Sequence, residues 1–184
     1  MKTFNKLKNN TRGKRKSNGN SIMELPAALW ITLIVFFMPM MSLATITLRL
    51  SLLNMAVLEA VHSASKARSF EQSSNEGVSA VELANQTFAK FVNSFPGLGA
   101  GGVKLSILAS SVNSGATTRF DNKLSQPANS SAFVYQIEGN SSGAIEPVFP
   151  ISGHLFGNIP GLSSPLKISF TAKEFVENPQ GLNR

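Results

Sequence analysis

Between Glu24 and Arg49 the chain runs for 24 residues, Leu25 to Leu48, without a charged side chain. As a helix rising ~1.5 Å per residue, this stretch reaches ~36 Å, enough to cross the ~30 Å hydrocarbon core of a bilayer with some tilt. The run predicts a membrane-spanning helix. Pro26 falls near its start, where a missing N–H costs little, whereas Pro39 is interior and predicts a bend.

Flanking charge sets the orientation of such a span. Seven basic residues (Lys2, Lys6, Lys8, Arg12, Lys14, Arg15 and Lys16) and no acid occupy the first 19 positions, while only Arg49, Lys66 and Arg68 follow within twenty residues of the run. Lys and Arg close to a span are retained on the cytoplasmic side, so the N-terminus is expected inside and residues 49–184 outside. Of the 17 basic residues, ten remain after position 19 and are matched by all ten acids, so the net charge of +7 belongs to the leader. A nucleic-acid-binding domain needs basic residues spread over a folded face, and no nucleic-acid partner is expected. The chain has no cysteine, which excludes disulfides, cysteine zinc sites and thiol nucleophiles. A secretory signal peptide cut after Ser42-Leu43-Ala44 is a competing reading of the same segment. Against it, the leader is long and the apolar pattern continues through Ile46 and Leu48 into a helical repeat.

Glu24 stands directly at the start of the apolar run, where a carboxylate within lipid is costly unless something pairs with it. It is the fifth residue after Gly19, and the residues before Gly19 are basic and rich in Gly, Asn and Ser (GKRKSNG), with no apolar core. This spacing resembles the processing site of type IV pilin-like proteins. The resemblance implies that a prepilin peptidase cuts between Gly19 and Asn20 on the cytoplasmic side, leaving a mature apolar helix with Glu at its fifth position. Such a cut creates an α-ammonium at Asn20, and a Glu side chain at the same depth can neutralise that amine on a neighbouring subunit. An unpaired Glu24 then drives assembly. Two plainer readings stand beside it: Glu24 as a favourable helix N-terminal charge in the headgroup layer, and the leader as an uncut basic tail on the inner leaflet.

Leu43, Ile46, Leu50, Leu53, Val57, Ala60, Ala64 and Ala67 recur at alternating three- and four-residue spacing, which reads as a helical seam. Its residues shrink from Leu to Ala, a gradient that lets other helices approach closely. One helix from about Ser21 to Phe70 is the economical reading. The leader, Gly19, the Met23-Glu24-Leu25 step, the apolar run and the Ala-rich exit AVLEAVHSASKARSF resemble the TadE-like pseudopilins of tight-adherence (Flp) pilus systems, over roughly residues 10–70. That family usually reads Val-Glu-Phe at the acidic step, so Met23 and Leu25 are conservative departures, and Pro39 is not part of the motif. The resemblance implies a minor pseudopilin of the bacterial inner membrane, working with a prepilin peptidase, other pilin subunits and an inner-membrane assembly platform.

After Phe70 the polar segment EQSSNEG predicts a break. A second helix follows, with Val78, Val81, Ala84, Phe88, Phe91, Val92 and Phe95 on one face and Ser79-x-x-Glu82 as a capping box. Phe95-Pro96-Gly97 ends it, and GLGAGG (97–102) reads as a flexible connection. Val103–Val112, Ala132–Glu138, Ala144–Ile151 and Leu166–Val176 show the alternation and β-branched content of strands. The expected architecture is α+β: a leader (1–19), a long helix (20–70) with its span at 25–48, and a small helix-plus-antiparallel-sheet domain (71–184).

Catalytic signals are sparse. His62 falls on the polar side of the long helix, and His154 lies in a loop with no carboxylate or second His nearby in sequence, so neither suggests a metal site or triad. GLGAGG-V-Lys104 lacks the Gly-Lys-Ser/Thr ending of a phosphate loop and sits between helix and strand, the wrong order for one. Asp121-Asn122-Lys123 reads as a turn with too few oxygen ligands for calcium. Glu174 and Glu177 are three apart, on opposite sides of a regular strand. No enzyme activity, cofactor or metal is expected. A structural protein of a pilus or secretion filament is the leading reading, and a single-span anchored module that binds an extracytoplasmic ligand or partner, its leader uncut, is the alternative.

Overall fold

The computed structural model describes residues 21–71, 77–148, 159–161 and 163–184. Gly19, Asn20, His154 and the end of the expected Ala144–Ile151 strand lie outside the described residues. The chain forms two compact units, Met1–Met38 and Pro39–Arg184. Helix α1 (Ser21–Ser65) contributes to both. The second unit takes in the helical residues from Pro39 onward. At the division, Pro39 has no N–H for the Val35 carbonyl one turn back, which removes a helical hydrogen bond there.

In the first unit, residues 25–38 of α1 are all exposed. In the second, α1 is followed by α2 (Ala80–Asn93), β1 (Leu98–Ala100), β2 (Lys104–Ser111), β3 (Thr117–Phe120), β4 (Phe133–Ile145), β5 (Leu166–Phe175) and a 3-10 turn (Pro179–Asn183). The arrangement is α+β. Every ladder is antiparallel. β4 is the spine: β5 runs along one edge, while β2 and then β1 share the other, and β3 extends the sheet beyond β2.

One sheet face carries Leu105, Ile107 and Ala109 of β2, Tyr135 and Ile137 of β4 and Ala172 of β5. These form one core with Leu53, Ala56, Val57, Ala60, Val61 and Ala64 of α1, and with Ala80, Ala84, Phe88 and Val92 of α2. The closest approach is at Gly139, where a Cβ would overlap Val61 Cγ2 and lie 3.1 Å from Val103 Cγ1 and 3.3 Å from Leu105 Cδ2. This contact explains a difference from the sequence reading. The run Gly139-Asn-Ser-Ser-Gly143, expected as a loop between two strands, is the middle of a 13-residue β4. Helix α1 requires glycine at position 139, and β5 supplies ladder partners along the whole run.

The long helix stops at Ser65, short of the expected Phe70. Ala67 N–H donates to Ala64 O, and Phe70, 2% exposed, turns into the core with its N–H held by the Gly181 and Arg184 carbonyls. Ser79 caps α2 as expected: in extended conformation, its hydroxyl accepts from Glu82 N–H at 3.3 Å. Asn85 ties α2 to the sheet, donating to Val81 O and accepting from Val103 N–H. Helix α2 ends at Asn93, and Phe95 is left exposed. The segment GLGAGG, expected to be a flexible connection, contains β1, and β3 is a further unexpected strand, exposed throughout and polar up to Phe120. Glu177 lies past the end of β5, so it shares no strand with Glu174.

Gly139→Ala is expected to lower the unfolding free energy by ~1–3 kcal/mol through overpacking, and to cost less when Val61→Ala is already present. Chemical denaturation of the four members of that cycle checks the coupling. Ser79→Ala should cost ~1 kcal/mol, as loss of an N-cap does, whereas Ser79→Asp should be nearly neutral in the same assay.

Candidate functional site

The feature that sets this chain apart is the surface of α1 before Arg49. Leu25, Trp30, Phe36 and Met40 are 63%, 63%, 66% and 69% exposed. The most apolar window has a mean hydropathy of 2.1 and only 11% of it is buried. Fourteen large apolar side chains between Leu25 and Leu48 are exposed in this way. At ~1.5–3 kcal/mol for full burial of each, leaving them half wetted forfeits on the order of 10 kcal/mol or more, comparable with the whole stability of a domain. One helix near the N-terminus is thus long and apolar enough to cross a membrane. Glu24 lies in its first turn, immediately before the exposed apolar surface.

At the end of the apolar run three hydroxyls are satisfied locally, whereas the buried Ser42 hydroxyl has no hydrogen-bond partner among the described residues. Thr45 Oγ1 donates to Ser42 O, Thr47 Oγ1 to Leu43 O and Ser51 Oγ to Thr47 O, at 2.8, 2.9 and 3.1 Å. Hydroxyls returned to carbonyls of the preceding turn need no water. Arg49, the first charge after the run, donates to the Glu146 carbonyl just past β4. Its guanidinium lies against Gly97, whose φ of +85° and lack of a side chain suit the turn between α2 and β1.

The seam residues are placed unequally. Ile46, Leu53, Val57, Ala60 and Ala64 are buried, Leu50 and Ala67 half-buried. Leu43 is 53% exposed, and Ser42 turns inward in its place. Periodicity alone does not distinguish 42 from 43 as the partner of Ile46, since both spacings are helical. Ala56 and Val61, absent from the expected seam, are buried as well. From Leu53 to Ala64 this face packs on the chain's own sheet and on α2, so it is not free to receive other helices. A different stripe of α1 is open: Leu48, Met55 and Leu58 are 60%, 55% and 48% exposed.

On the opposite sheet face, Glu138 of β4 pairs with Arg119 of β3 at 2.7 Å and with Lys173 of β5 at 3.1 Å, and Arg119 also reaches Asp121. β2 runs between β3 and β4. The Arg119–Glu138 pair therefore bridges over it, and Ser106 and Leu108 beneath are 1% and 6% exposed. Both cations are half exposed, so the ion pairs contribute at most ~1 kcal/mol each; the arginine stem also covers Leu108. Sequence reasoning missed this cluster because its members are far apart in the chain and meet only through strand register. His62 is exposed on α1. Among the described residues no group of three His, Cys, Asp or Glu side chains is placed to hold a metal ion. No protein-family model, curated protein or solved structure matches the chain.

Proposed function

We propose that this protein is a pilin-like structural subunit of the bacterial inner membrane. In this reading its leader is removed by a prepilin peptidase between Gly19 and Asn20, and its α1 carries it into a tight-adherence pilus or related secretion filament. The observation that carries it is the exposed apolar surface of α1 headed by Glu24, five residues after Gly19. The basic leader stays in the cytoplasm and the Pro39–Arg184 unit lies outside, as the flanking charges direct. In the membrane, Glu24 of one subunit meets the new Asn20 α-ammonium of its neighbour or of the assembly platform. The work is structural rather than catalytic.

The buried seam refines which residues meet a neighbour. Because Leu53, Val57, Ala60 and Ala64 are occupied within the chain, the outward stripe of Leu48, Met55 and Leu58 continues the subunit contact beyond the span.

N-terminal sequencing of the membrane protein tests the reading directly. A chain beginning at Asn20 only when prepilin peptidase is active is the expected result; an intact Met1 supports an anchored module with an uncut leader, and a start at Thr45 a secreted protein. Glu24→Gln should leave insertion and folding unchanged and abolish recovery of the subunit with the filament or platform. Met55→Glu should lose assembly at wild-type thermal stability, whereas Leu53→Glu should lose folding itself, by ~4 kcal/mol or more for an unpaired buried charge.

A further inference from the structure

The sheet face that packs on α1 is not covered to its end. Toward the end of that face Ala109 of β2, buried like Tyr135, lies between Thr118 of β3 and Tyr135 of β4 in one cross-strand row. Its small side chain floors a cleft of about 330 Å³. Phe120 and Phe133 join Tyr135 as aromatic walls, the last two with ring centroids 6.3 Å apart and planes at 48°. The loop 124–129 closes the remaining side. This loop is fastened at both ends: Leu124 N–H donates to Leu182 O at 2.8 Å, and Asn129 N–H to the Tyr135 hydroxyl at 3.0 Å. Leu124 and Ala128 are buried beneath it. The wall is set before any ligand arrives, which removes the ordering cost of binding.

We propose that this cleft binds a neutral saccharide. Three features select that chemistry. Phe120, exposed, and Phe133, half-buried, offer ring surfaces on which the C–H face of a sugar stacks, above the buried Tyr135. Around them, the Thr118 hydroxyl and the Gln126 amide have no hydrogen-bond partner among the described residues, and the Tyr135 hydroxyl, accepting from Asn129, keeps its own proton to donate. Hydroxyl-rich ligands satisfy such groups. No Lys, Arg, Asp or Glu lines the cleft, so an ionic ligand would lose its hydration without a counter-charge. The volume lies at the small end of ligand sites and suits one or two linked sugar rings.

The position also fits a role in contact with the surroundings. Val176 N–H bonds Tyr135 O and Glu177 N–H bonds Ser65 O. The cleft therefore lies at the end of the sheet where α1 stops, whereas Arg49 is tied to the opposite end, beside Glu146. Saccharide binding here is independent of whether the leader is cut.

The test uses the full chain in phospholipid nanodiscs, since a maltoside detergent would itself present a neutral disaccharide. Maltotriose, cellotriose and triacetylchitotriose are examined by saturation-transfer NMR and calorimetry, with the anionic sialyllactose as control. Saturation of the ring C–H protons of at least one neutral trisaccharide is expected, with sialyllactose at least tenfold weaker. Gln126→Ala and Phe120→Ala, both at the exposed rim, should each weaken binding at least fivefold without shifting the melting temperature. Ala109→Leu, which fills the floor, should abolish it. Absence of transfer to all three sugars, affinity unchanged by all three substitutions, or occupation of the cleft by a proline-rich peptide in place of sugar would overturn the assignment.

Discussion

The Pro39–Arg184 unit depends on how closely α1 lies against β4. A helix rests on a sheet with its axis roughly 10 Å away when ordinary side chains separate them. Here Ala56, Ala60 and Ala64 present little bulk, and Gly139 presents none where Val61 arrives. Both layers close into one core as a result. The strand order suits it: β4, which carries the glycine, is the spine, and β2 and β5 flank it, their Ile107 and Ala172 completing the floor under the helix. The same contact accounts for the shrinkage of side chains from Leu50 to Ala64, which invited a reading as a docking seam for other helices.

Helix α1 thus has two stretches of different surface character. Up to Met41 its large residues are exposed all round, and a helix with no polar side is at home only in apolar surroundings. From Leu53 onward one face is apolar and buried, while Asn54, Met55, Leu58, Glu59 and His62 are exposed. The change occurs where Arg49 stands. Its guanidinium donates to the Glu146 carbonyl, which ties this point of the helix to the chain just past β4. Hydroxyls of Thr45, Thr47 and Ser51, returned to the helix backbone, make the transition gradual in polarity.

What could be read from the sequence was what local chemistry determines. The apolar run, the Ser79 cap, the α2 face through Ala84, Phe88 and Val92, and the strands β2 and β5 were all legible because each depends on periodicity or on one side chain near its own backbone. What escaped reading depends on partners distant in the chain. Gly139 and Gly143 look like loop residues until Val61 and β5 are in place. β3 reads as polar loop because it is an exposed edge strand, with Arg119 reaching over β2 to Glu138. Phe70 looked like the last residue of a helix, yet the carbonyls of Gly181 and Arg184 draw its N–H out of helical register. The candidate site divides likewise: its apolar span and Glu24 are local signals, but the choice of Ser42 over Leu43 was set by tertiary packing.

Charge balance bears on assembly in a way that no single contact does. Beyond position 19 the chain carries ten basic and ten acidic residues, so copies lacking the leader would meet without net repulsion. With the leader attached, each copy brings seven additional positive charges to one end of its span. At physiological salt, charges closer than the ~8 Å Debye length still repel, and neighbouring helices in a bundle lie at about that distance, with axes ~8–10 Å apart. An intact leader therefore opposes, in the pilin-like reading, the close packing of spans that Glu24 would favour. In the pilin-like reading, one cut removes the repulsion and creates the ammonium partner for Glu24, so processing and the onset of association follow from a single bond broken.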